Sequence, residues 1–150
     1  MYNEYVIKGR ETKAMTKTYY WDMDGVLADF HGAANGVWSK ALDYTFMATL
    51  PAFAKNVATL NKLIAEGHTC YILTKAANED AKQGKIDWLA KYVPAMDEAH
   101  FICIVGRGRK VDFIREDGIL IDDDPTNTKQ WTKGGHEAIL LTTKGEAVAL

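Results

Sequence analysis

The acidic residues of this chain fall at particular places. Asp22 and Asp24 directly follow the apolar run Tyr19-Tyr20-Trp21. Thr74 directly follows Cys70-Tyr71-Ile72-Leu73, and Asp122, Asp123 and Asp124 directly follow Ile119-Leu120-Ile121. If these runs are parallel strands, their C-terminal ends line one edge of a sheet, where open α/β domains build their sites. Carboxylates gathered at one edge repel each other and need a cation, and hard oxygen donors suit Mg²⁺. Taken singly, each Asp also reads as a turn acceptor or a helix cap: Asp24 precedes Gly25, and Asp124 precedes Pro125. The joint pattern is what points to a site.

Cations stand near the same edge. The segment Gly106-Arg107-Gly108-Arg109-Lys110 follows the run Phe101-Ile102-Cys103-Ile104-Val105. Lys110 is favoured as the charge partner because it opens a helical stretch before the next strand, with Arg109 the alternative. Basic residues beside glycines also read as a nucleic-acid patch, but a formal charge of −2 supports no polyanionic partner. Lys75, next to Thr74, either adds charge at the site or points to solvent. Phe30, Trp38, Tyr44 and Phe46 either stack on an aromatic ligand or pack on the core. Of the histidines, His68, His100 and His136 precede apolar runs and so belong at the opposite edge, whereas His31 follows the first acidic group.

The elements that must hold these residues are legible from periodicity. The five apolar runs (19–21, 70–73, 101–105, 119–121 and 138–141) do not alternate with polar residues, as expected of strands buried on both faces. Pro51 opens a helix with Phe53, Val57, Leu60 and Ile64 on one face and Gly67 past its end. Asn78 caps a second helix that runs through Ile86 and Leu89 and stops before Pro94. Short helical stretches follow Lys110 and Asn127. The alternation predicts an α/β chain: a three-layer α/β/α Rossmann-like fold on a five-stranded parallel sheet. With 150 residues, 47% hydrophobic and 25% charged, it reads as a single domain with a real core. Residues 1–16 are an N-terminal extension without clear periodicity, and 31–50 an aromatic-rich insert. Cys70 and Cys103 read as buried thiols, and no Cys/His spacing suggests zinc. Met1 to Lys17 lacks the apolar core of a signal peptide, and no apolar run reaches the ~20 residues of a membrane span. The expected location is the cytoplasm, with no membrane partner.

The stretch Asp22-Met23-Asp24-Gly25-Val26-Leu27-Ala28-Asp29-Phe30 resembles the first motif of the haloacid dehalogenase-like superfamily. Leu73-Thr74 is similar to its second motif, Lys110 stands where the third places a lysine, and Ile121-Asp122-Asp123 resembles the fourth. The motifs come in the right order and cover most of residues 18–142. Within the superfamily the chain most resembles the 5′(3′)-deoxyribonucleotidase group and its phage and bacterial relatives, which share the wording of the first motif and a late Trp before Gly-Gly, here Trp131 with Gly134 and Gly135. The resemblance implies a Mg²⁺-dependent phosphatase working through an aspartyl-phosphate. Asp22 would be the nucleophile, Asp24 the acid and base, Thr74 and Lys110 the phosphate-binding groups. Asp22, Asp24, Asp122 and Asp123 would hold the metal. Arg107 would contact the phosphate of a small phosphorylated substrate, a nucleotide, with Phe30 and Lys75 the further candidates that residue type and position add. Two departures concern substrate identity: Lys75-Ala76-Ala77 replaces the group's small residue and proline, and the insert 31–50 is short for a cap that encloses a nucleoside. So small a cap leaves room for a partner chain, a homodimer, over the site.

Three alternatives stand beside this one. The substrate is a sugar phosphate or another metabolite, or the chain is a non-catalytic phosphate-binding relative. A phospho-acceptor receiver domain also uses Asp, Thr and Lys on a parallel sheet. Receivers, however, carry the phosphorylated Asp on the third strand, and here Asp-x-Asp comes first.

Overall fold

Apolar runs flanked by polar turns satisfy their backbone groups by pairing side by side. In the computed structural model, which describes residues 4–7 and 11–150, the five predicted runs become β3 (Thr18–Trp21), β4 (Thr69–Ala76), β5 (Phe101–Val105), β6 (Ile119–Asp122) and β7 (Ala138–Leu140). Together they form one sheet in the order β5-β4-β3-β6-β7, with every pair parallel. The chain builds outward from β3 through β4 to β5, then returns to the other side of β3 for β6 and β7. That reversal makes the C-terminal end of β3 a topological switch point, the place where ligands enter such sheets.

Both faces of the sheet are covered, as unalternating strands require. Trp21 and Ile72 face a core shared with Leu60 of α3 (Ala54–Ala65) and Trp88 of α4 (Glu79–Tyr92). Tyr20, Leu73 and Leu120 face a second core with Trp131 of α5 (Pro125–Lys133). The arrangement is the expected three-layer α/β/α Rossmann-like fold.

Local differences from the sequence reading have physical causes. Thr74 lies inside β4 rather than after it, because pairing with β5 continues to Ala76 and Val105. α3 starts at Ala54 with Phe53 at its cap position, and it buries Val57, Leu60 and Leu63 rather than Ile64. α4 is capped by Asn78, whose side chain accepts from Ala81 N at 2.8 Å, as expected. Its buried face is Ala81, Gly84, Lys85, Trp88 and Leu89, while Ile86 is exposed. α5 begins at Pro125, two positions before Asn127, because Asp124 caps it by accepting from Thr126 N at 2.8 Å. Expectations for residues 1–16 partly concern positions 1–3 and 8–10, which lie outside the described residues. The rest of that extension, which shows no clear periodicity in the sequence, forms β1 (Glu4–Ile7) and β2 (Glu11–Ala14), and these pair antiparallel.

The insert is helical, with α1 (Phe30–Ala34), a 3-10 turn (Trp38–Leu42) and α2 (Tyr44–Ala48). It docks on α4: Tyr44 donates its hydroxyl to Asp87, Asn78 Nδ2 donates to Leu42 O at 3.2 Å, and Trp88 Nε1 to Leu50 O at 2.8 Å. Among the described residues no helix is long and apolar enough to cross a membrane.

Candidate active site

Asp22 sits one residue past β3, where its N–H extends the ladder to Ile121 O at 2.9 Å. The chain then turns tightly, with Leu27 N and Ala28 N both donating to Met23 O at 2.8 and 2.9 Å. Gly25 sits in this turn at φ +89°, and the Asp123 carboxylate lies flat against it. A Cβ there would fall 2.4 Å from Asp123 Oδ2. Only glycine allows both the positive φ and this approach.

Carboxylates from β3 and β6 thereby converge. One oxygen each from Asp22, Asp122 and Asp123 lie within 4.8 Å of one another. Lys110, 2% exposed, bridges two of them: its Nζ donates to Asp22 Oδ1 at 2.7 Å and to Asp122 Oδ2 at 2.8 Å. Asn127 Nδ2 also donates to Asp122 Oδ2, at 3.0 Å, and Asp124 N donates to Asp122 Oδ1 at 2.9 Å. Lys144, from the segment after β7, donates to Asp123 Oδ2 at 2.5 Å. On the other side of Asp22, Lys85 of α4 is 1% exposed and donates to Asp24 Oδ2 at 2.9 Å and Thr74 Oγ1 at 3.0 Å.

These contacts set the electrostatics. Burial pushes Asp22 well above the usual carboxylate range; Lys110 opposes this, and the Asp122 charge and the hydrogen bond to Asp123 add to it. Burial acts upward on Asp123 too, but hydrogen bonds from Asp22 and Lys144 outweigh it and hold that group low. Burial disfavours the Lys110 ammonium, yet the charges of Asp22 and Asp122 more than compensate and raise its pKa. A divalent cation among these oxygens would act on Asp22 in the opposite direction to burial.

A pocket of about 200 Å³ opens over the cluster. Asp22, Asp24, Thr74, Lys75, Lys110 and Asp123 line it, with His31, Asp124, Asn127 and Lys144 around them. Two larger hollows, of about 510 and 520 Å³, lie elsewhere, beside Asp117 and His136 and between α4 and Phe101, away from these carboxylates. The pocket can take a phosphate group but not enclose a nucleoside, since sites that enclose organic ligands run to about 300 Å³ or more.

The structure thus brings together Asp22, Asp24, Thr74, Lys110, Asp122 and Asp123, with exposed Lys75 at the rim. It separates two other candidates from them. Phe30 is buried, its ring against Trp38, Phe46 and His31, so it packs on the core instead of lining the pocket. Arg107 is exposed and outside the lining. Of the two cations, Arg109 pairs with Asp112 in its own turn at 2.8 Å, whereas Lys110 reaches Asp22 at 2.7 Å. Lys85, Asn127 and Lys144 escaped the sequence reading. The one usable signal was for Lys85, which lies four residues from Ala81 and from Leu89 on the buried face of α4.

The family model described as 5′ nucleotidase, deoxy (Pyrimidine), cytosolic type C protein matches residues 33–146. The matched span contains Thr74, Lys110, Asp122 and Asp123, and it starts after Asp22 and Asp24. No curated protein matches the chain.

Proposed function

The chain belongs to the cytosolic type C 5′-nucleotidase family, with a haloacid dehalogenase-like fold, and from that premise we propose that it hydrolyses (deoxy)nucleoside monophosphates with Asp22 as nucleophile. As a member of that family it is a phosphoric monoester hydrolase; the substrate, the residues' roles and the metal are our reading. The observation that carries it is the Lys110 bridge between Asp22 and Asp122, with Asp123, Asp24 and Thr74 at the same sheet edge.

The donor set fits Mg²⁺. It consists of hard carboxylate oxygens from Asp22, Asp122 and Asp123 close enough to share one ion, and buried Asp24 Oδ1 has no partner. Bound Mg²⁺ would screen the repulsion between the Asp22 carboxylate and a phosphate dianion. The remaining chemistry belongs to the chain's own side chains. The Asp22 carboxylate oxygen attacks phosphorus, and the bond from phosphorus to the nucleoside oxygen breaks. Asp24 gives its proton to that departing oxygen. It then takes a proton from water as the water oxygen attacks the aspartyl-phosphate, which releases phosphate and restores Asp22. Lys110 offsets charge on the phosphoryl group, and the Thr74 hydroxyl donates to one of its oxygens.

We treat 1–150 as one domain with 31–50 as its small cap, located in the cytoplasm. The homodimer belongs to the same reading, and sedimentation velocity tests it. A second reading has its own support: a pocket of about 200 Å³ grips the phosphate and leaves the ester group outside, which suits sugar phosphates as well. A steady-state screen of deoxy- and ribonucleoside monophosphates and sugar phosphates, with Mg²⁺ or excess EDTA, separates them. We expect deoxynucleotides to be cleaved fastest and EDTA to abolish turnover. Phosphate release by Asp22→Asn at the wild-type rate would overturn the nucleophile.

A further inference from the structure

Two buried lysines serve this site, and the mechanism above uses one of them. Lys110 attends Asp22 and Asp122. Lys85 attends Asp24 and Thr74, at 2.9 and 3.0 Å, from the inward face of α4. Burying an ammonium is costly unless it is paired and hydrogen-bonded, and an aliphatic side chain would fill the same space in the core. The charge therefore has a purpose at the site and not in the packing.

Hydrogen-bond direction narrows that purpose. An ammonium only donates. Thr74 Oγ1 must accept from Lys85, so its own hydrogen is free for an oxygen in the pocket. Asp24 Oδ2 must accept as well, which fixes the carboxyl rotation beside Asp22. The lysine is itself held. At Gly84, the preceding residue, α4 meets α2 so closely that a Cβ would lie 2.8 Å from Tyr44 O and 2.9 Å from Met47 Cβ. Docking of the insert thus places Lys85 under Asp24 and Thr74.

We propose that Lys85 is the positioning residue for the proton-transfer half of the reaction, orienting Asp24 toward the leaving oxygen and later toward the attacking water. This rests on the aspartyl-phosphate reading above. It separates two kinds of substrate. A nucleoside leaves as a strongly basic alkoxide unless it receives a proton. p-Nitrophenolate leaves without one, so only the second step of its hydrolysis depends on Asp24.

The test compares the wild type with Lys85→Met, which keeps the length and loses the charge, using a deoxynucleoside 5′-monophosphate and p-nitrophenyl phosphate under rapid mixing. For the nucleotide, kcat falls by roughly 10²-fold or more, the range of lost general acid–base catalysis, with little change in KM. For p-nitrophenyl phosphate, one equivalent of p-nitrophenolate per chain appears in a fast burst. Slow turnover then follows as the aspartyl-phosphate waits for a base. Equal losses on both substrates without a burst, or a rise in KM alone, overturn the proposal. Lys85→Gln, which retains a donor, should recover part of the nucleotide rate, and it decides by the same readouts if circular dichroism shows Lys85→Met unfolded. Absence of an acid-trappable phosphoenzyme in the wild type would instead overturn Asp22 as nucleophile.

Discussion

Gly25→Ala tests whether the placement of Asp123 against the first turn matters to the chemistry. The added Cβ would lie 2.4, 2.7 and 2.9 Å from Asp123 Oδ2, Cγ and Oδ1, where ordinary contacts begin at 3.4 Å. The carboxylate must therefore move by about 1 Å, a displacement large enough to cost on the order of 10²-fold in rate, or about 2.7 kcal/mol of transition-state stabilisation. The backbone adds a separate cost, since φ is +89° and left-handed geometry disfavours an L side chain by roughly 1–2 kcal/mol. Gly67→Ala separates the two effects. Gly67 has φ +91° and nothing within 4 Å of its would-be Cβ, and it lies past the end of α3. Both variants should lose similar stability in urea denaturation. Only Gly25→Ala should lose activity on a nucleoside monophosphate, together with Mg²⁺ affinity measured by calorimetry. Wild-type activity in Gly25→Ala, or equal activity losses in both, would show that the position of the Asp123 carboxylate is not what the reaction uses.

Other predictions follow from single contacts. Asn56 is fully buried; it donates to Val26 O and Glu146 O and accepts from Val148 N, which ties the C-terminal segment to the first turn. Asn56→Ala should cost about 3 kcal/mol in urea unfolding, roughly 1 per hydrogen bond, and a shift too small to resolve would refute the strapping role. Lys144 occupies Asp123 Oδ2, so Lys144→Gln should tighten Mg²⁺ binding in calorimetry; weaker binding would show that the lysine helps to hold the metal site. Burial pushes both the Cys70 thiol and the Tyr71 hydroxyl up to about 12, the latter also through its hydrogen bond to Glu116. Because the fold favours their neutral forms, that stabilisation is complete below about pH 9 and is lost as pH rises toward 12. Circular dichroism and tyrosinate absorbance should report alkaline unfolding in that window; a fold unchanged through pH 12 would contradict it.

Some of this protein was fully legible in the chain and some was not, and the division has a physical basis. Strands buried on both faces leave an unbroken apolar signature, so Tyr19 to Trp21 and Ile119 to Ile121 announced a parallel sheet. In such a sheet every strand ends at the same edge. Asp22, Asp24, Asp122 and Asp123 therefore had to meet, although 100 residues of chain separate the ends of that set. Caps chosen by local hydrogen bonding, such as Asn78, were legible for the same reason: their partners lie within one turn. What only the tertiary structure decided depends on contacts between distant elements. A lysine on a helix reads as solvated; its spacing from Ala81 and Leu89 hinted that Lys85 is buried, but its place beside Asp24 and Thr74 emerged only once α4 was packed against the ends of β3 and β4. Lys144 became a neighbour of Asp123 through the path of the last segment, which no local pattern encodes. Phe30 packed inward and Arg107 stayed outside for the same reason: residue type states what a side chain can do, and only packing states what it can reach.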